Sequence, residues 1–110
     1  MATSTATKTI LWPGASGTEY KYWIYPIGCK LAAKPGNYIF AKEVSPGRYI
    51  PIYTGETGNL SERFDGHHKA GCINSQGATH IHAHLNNGGQ NARRAEEGDI
   101  VHKWSPTCNG

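Results

Sequence analysis

Turn chemistry cuts this chain into short pieces, and that limits what it can become. Pro13-Gly14-Ala15-Ser16-Gly17, Lys34-Pro35-Gly36, Ser45-Pro46-Gly47, Gly55 to Gly58 and Asn86-Asn87-Gly88-Gly89 are turn or loop sequences, and Ser105-Pro106 closes the last periodic segment. Between them, Lys8–Trp12, Tyr20–Ile27, Asn37–Val44 and Tyr49–Thr54 are short runs rich in aromatic and β-branched residues, expected to form two hairpins. Pro51 cannot donate to a ladder, so its strand belongs at an edge or carries a bulge. A helix is expected from Leu60 to Lys69, with Leu60 and Phe64 on one face and Gly71 as its stop. Thr79–Leu85 alternates as a strand, and Asn91–Trp104 reads as a second helix. This order predicts an α+β fold, a small mainly antiparallel sheet flanked by helices. Residues 1–7 are expected to be a disordered tail, 8–35 an N-terminal β-hairpin extension, and 36–110 the core.

With 110 residues the chain suits one domain with a modest core, and it has no apolar run near the length of a membrane span. Its start, MATSTATKTI, lacks the apolar stretch of a secretory signal. Cys29, Cys72 and Cys108 are isolated and odd in number, which argues against a disulfide framework and for a reducing, cytoplasmic setting. The net charge of +3 is carried by residues 1–35, where four lysines face only Glu19, while residues 36–110 balance. A footprint on a polyanion would draw on that N-terminal segment.

Several side chains could carry chemistry. On the second helix, Ile100, Val101 and Trp104 form an apolar stripe, and Glu97 shares its face. A carboxylate there must be paired, with Arg93 or Arg94, or bound to metal. Glu96, about a quarter-turn away, is expected to be solvated. Arg63 and His67 lie four apart. Together they suit a phosphate, held bidentately by the guanidinium and assisted by the imidazole; otherwise they are a solvated face paired with Glu62 or Asp65. Tyr38 and Tyr53 are either sheet aromatics or bases, the latter only if positive charge lowers a pKa that starts near about 10.

These residues carry a resemblance. Gly36-Asn37-Tyr38, then Tyr53-Thr54-Gly55-Glu56-Thr57-Gly58-Asn59-Leu60 and Arg63, resemble the signature of the GIY-YIG nuclease family. The likeness continues through His67, as in the restriction-enzyme branch, Glu97-Gly98-Asp99-Ile100-Val101, and Pro106-Thr107-Cys108-Asn109. It departs in the fourteen residues between the two tyrosines, a longer hairpin than is usual, and in Asn37 and Thr54, which replace the isoleucines. The resemblance implies a GIY-YIG-like core and a metal-dependent endonuclease hydrolysing phosphodiester bonds, with DNA as the expected substrate. Glu97 would bind Mg²⁺ or Mn²⁺, Arg63 would stabilise developing charge, and Tyr38 or Tyr53 would activate water with help from His67. Asn109 would hold the geometry or contact phosphate. Gly55, Thr57 and Asn59 would meet substrate, and Lys42 would be an accessory cation or an ordinary strand lysine. So short a chain would take its specificity from a partner protein or have little. Cutting both strands with one site would need a dimer or two successive events.

Two other readings compete. His80, His82 and His84 alternate along one strand and point to one face. They could hold zinc with Cys72, His67 or His68, giving a zinc hydrolase or zinc-stabilised module, contact phosphate, or form a polar sheet face opposite a core face of Thr79, Ile81, Ala83 and Leu85. Trp12, Tyr20, Tyr22, Trp23 and Tyr25 interleave with Lys8, Lys21 and Lys30, the pattern of a non-catalytic nucleic-acid-binding module or of an amphipathic hairpin.

Overall fold

The computed structural model describes residues 8–62 and 67–109. Five antiparallel strands, β1 (Thr9–Pro13), β2 (Glu19–Pro26), β3 (Gly36–Ser45), β4 (Arg48–Thr57) and β5 (His80–Leu85), form one sheet in the order β1-β2-β5-β3-β4. With helices α1 (Ala70–Ser75) and α2 (Gln90–Trp104) and a 3₁₀ turn at Thr107–Asn109, the fold is α+β, as the element order predicts. The N-terminal hairpin joins the same sheet through β2 and β5. No helix among the described residues is long and apolar enough to cross a membrane.

The β3–β4 hairpin turns at Pro46-Gly47, where Gly47 has φ 75°, a conformation that glycine adopts without a Cβ penalty. Its ladder passes from Phe40↔Tyr53 to Ala41↔Pro51, so Ile52 is an extra residue beside the proline on an edge strand. The bulge lets the neighbours Ile52 and Tyr53 both enter one core.

The sheet is buried on both faces. One core holds Tyr25, Tyr38, Phe40, Tyr53, Ile81 and Ala83 with Leu31, Leu60 and Ile73. The opposite core, beneath α2, holds Trp12, Tyr22, Ile39, Ala41 and Ile100. The histidine face therefore is not an open polar face. His82 is fully buried, its Nδ1 accepting the Trp12 indole N–H at 3.0 Å, and its Nε2 has no hydrogen-bond partner among the described residues. Asn37 and Thr54 are fully buried too: Asn37 donates to the Arg93 carbonyl of α2 at 2.9 Å and Thr54 Oγ1 to the Tyr38 carbonyl at 3.4 Å.

The helix expected over 60–69 is not found at the described positions. Asn59 Oδ1 accepts the Ser61 N–H at 2.9 Å, Thr57 Oγ1 accepts the Asn59 N–H at 3.1 Å, and the Leu60 N–H goes to the Lys34 carbonyl. With the Glu62 N–H on the Asn59 carbonyl, these bonds form a local turn at the described positions. The helix starts at Ala70 and contains Gly71, which was expected to stop it. Cys72 of α1 is bonded to Cys108 of the 3₁₀ turn, which corrects the expectation of isolated thiols; Cys29 is not in a disulfide.

Candidate active site

The β3–β4 register sets Tyr38 opposite Gly55 and Phe40 opposite Tyr53, so both tyrosines share a face with ring centroids 6.2 Å apart. The Tyr38 phenol reaches over β4: a Cβ at Gly55 would stand 2.6 Å from its oxygen. A glycine is thus needed for close approach. His67, on the turn before α1, brings Nε2 to 2.8 Å from that oxygen and its ring to 5.0 Å from Tyr53. The Lys69 N–H donates to His67 Nδ1 at 3.0 Å. In the neutral ring the proton therefore sits on Nε2, which donates to Tyr38. Burial, then His68 and Lys69, lower the His67 pKa below 6.5, so it is neutral at pH 7.

Glu97 lies half-buried on α2. Its pKa is raised by burial and then by Glu56, while Arg94 pulls it down. The expected pairing of Glu97 with the arginines is replaced: Arg93 Nε donates to Glu56 at 2.9 Å, and Arg94 Nε stands 3.9 Å from the other oxygen of Glu56. The expectation for Glu96 is also reversed. Glu96 is 5% exposed and accepts from Tyr22 at 2.5 Å, His84 Nε2 at 3.1 Å and Asn86 at 3.2 Å. The inward stripe of α2 is Arg93, Glu96 and Ile100. Glu97 is displaced from it by about 100°, one residue's rotation.

Burial is the first cause of a high pKa at both tyrosines, and Glu97 adds to it at each; Tyr53, Glu56 and Glu62 add further at Tyr38. Both phenols are protonated at neutral pH, so the depressed tyrosine pKa that base catalysis would need is not built into the protein alone. Asn109 does hold geometry. Its Oδ1 accepts the Thr54 N–H at 2.8 Å and its Nδ2 donates to the Thr54 carbonyl at 2.9 Å, between Tyr53 and Gly55.

Lys42 is exposed, its side chain next to Gly77. It lies four residues from Tyr38, about 13 Å along a strand, and does not join the cluster. Thr57 and Asn59 are occupied in the turn described above. Arg63, Phe64 and Asp65 lie outside the described residues, as do residues 1–7. Glu56 has no expected role from the sequence, although its place beside Gly55 is a signal; the register then sets it opposite Asn37.

The rival clusters are dispersed into packing. His80 meets Thr79 and Tyr49, His82 is in the core, and His84 bonds Glu96 and the Lys21 carbonyl. Cys72 is in the disulfide, and no group of three or more His, Cys, Asp or Glu among the described residues could hold a metal ion. Trp12, Tyr22 and Tyr25 of the hairpin are core residues rather than stacking surfaces. Comparisons with models of protein families, with curated proteins and with solved structures find no match.

Proposed function

We propose that the chain is a GIY-YIG-like, metal-dependent endonuclease that hydrolyses phosphodiester bonds, with DNA as its substrate. One observation carries this reading: Tyr38, Tyr53 and His67 converge, with the Tyr38 phenol 2.8 Å from His67 Nε2, within the field of the half-buried Glu97. A neutral nitrogen donor, two phenols and a carboxylate destabilised by Glu56 make a site that gains from a cation and a phosphate. Glu97 is the residue to hold Mg²⁺ or Mn²⁺. Its hard oxygens suit either ion, and Mg²⁺ keeps several waters and needs few protein ligands. Bound there, the ion would polarise the scissile phosphate as a Lewis acid.

The chain's own residues do the rest. His67 Nε2–H fixes Tyr38, and Tyr38 orients the attacking water. Tyr53 would take the water's proton only as the phenolate, having first lost its own proton to solvent; fewer carboxylates oppose that ionisation than oppose that of Tyr38, and positive charge at Glu97 and Arg63 would favour it. Asn109 keeps the Tyr53–Gly55 backbone in place. Arg63 stabilises the developing charge on the strength of the resemblance alone.

The test is plasmid nicking with Mg²⁺ or Mn²⁺, comparing wild type with Glu97→Ala. Cleavage that EDTA stops and Glu97→Ala abolishes is expected. Full activity in Glu97→Ala would remove the assignment.

A further inference from the structure

The cross-strand register carries the candidate site further than its own hairpin. Trp23 stands opposite Ala83, Ala83 opposite Tyr38, and Tyr38 opposite Gly55. Directly opposed residues point to the same face, so these four form one transverse row. Two strand spacings separate Trp23 from Tyr38, about 10 Å. The core beneath this face involves β2 through Tyr25 and one side of Trp23, whereas α2 lies over the opposite face. Towards β1 the sheet surface opens: Leu11 is 51% exposed, and Thr9 and Lys21 are exposed as well. The half-buried indole of Trp23 lies at this margin with Lys21 Nζ 5.2 Å from its ring centroid.

We infer that Trp23 and Lys21 form a stacking subsite for one unpaired base of a single-stranded nucleic acid whose scissile phosphate lies at Tyr38 and Tyr53. This rests on the nuclease reading for the position of the phosphate. The charge fits the occupant, since residues 1–35 hold four lysines and one acidic group while the remainder balances. An indole anchored on one side is a rigid platform that loses little entropy when a base settles on it. Lysine over an indole is a weak contact, and a stacked base is a stronger one. Lys21 therefore yields the ring and meets the phosphate of the stacked nucleotide. A paired base has no such face to offer, so single strands are preferred over duplex.

The test is fluorescence anisotropy of a fluorescein-labelled oligothymidylate and of a labelled duplex, in EDTA. It compares wild type with Trp23→Ala, Trp23→Tyr and Lys21→Ala, their folds checked by circular dichroism. Trp23→Ala is expected to weaken oligothymidylate binding by about tenfold or more, while Trp23→Tyr, which keeps an aromatic face, retains most of it. Lys21→Ala is expected to flatten the salt dependence. Should Trp23→Ala misfold, the comparison of Trp23→Tyr with Trp23→Leu decides. The inference is overturned if wild type does not bind the oligonucleotide, if it prefers the duplex, or if removing the aromatic ring leaves affinity unchanged. Cleavage with affinity independent of Trp23 refutes this inference alone. Trp23-dependent binding without cleavage under any divalent cation refutes the nuclease reading and upholds the stacking subsite.

Discussion

Acidifying the protein should destabilise it through His82. This imidazole is fully buried, between the indole of Trp12 and the ring of Tyr49, whose centroid is 4.7 Å away. Burial, and then the nearby His80, push its pKa down to about 3 from the ordinary 6.5. The unfolded chain takes up this proton as pH falls through 6.5, and the folded chain does not until near 3, so stability is complete above the upper value and lost going down. At pH 5 the gap is about 1.5 pH units, or about 2 kcal/mol lost at this residue alone. Urea unfolding at pH 7 and pH 5 measures the total. The same measurement on His82→Asn, whose side-chain oxygen can still accept from Trp12, isolates the His82 share. The ring-proton NMR signal of His82 should stay constant over that range. A signal that titrates near pH 6.5, or a stability loss equal in both proteins, would refute the claim that His82 is locked neutral in the core.

The Cys72–Cys108 bond closes a segment with a sequence separation of 36, and Cys72→Ser should cost about 4 kcal/mol by loop-closure entropy, read in urea midpoints under non-reducing conditions. A cost near zero would mean that the two cysteines are not bonded in solution. Glu56→Gln should shift the acid limb of the cleavage profile to lower pH, because Glu56 is a charge that raises the Glu97 pKa; an unmoved or raised limb would show that Glu97 does not govern it.

The strands were legible because glycine and proline mark their ends and alternation marks their faces, even to the bulge at Pro51. The second helix was legible from its length. The misplaced first helix has a local cause, since the Asn59 and Thr57 side chains offer the backbone a competing turn that spacing between apolar residues does not register. The exchange of Glu96 and Glu97 has a distant cause. The inward stripe of α2 is polar, and Glu96 belongs there because Tyr22 and His84, remote in sequence, supply its partners. The histidine strand shows the same limit: a period of two separates its faces, but only tertiary packing decides that α2 covers the polar one.

The bidentate pairing of Asn109 with Thr54 reaches beyond the site it frames. Thr54 sits on a border strand of the sheet, where unpaired main-chain groups invite another chain to add itself as the next strand. The asparagine amide fills those two valences with a side chain instead of a strand, and Pro51 nearby withholds a third donor. A single residue so placed discourages open-ended self-association along this border.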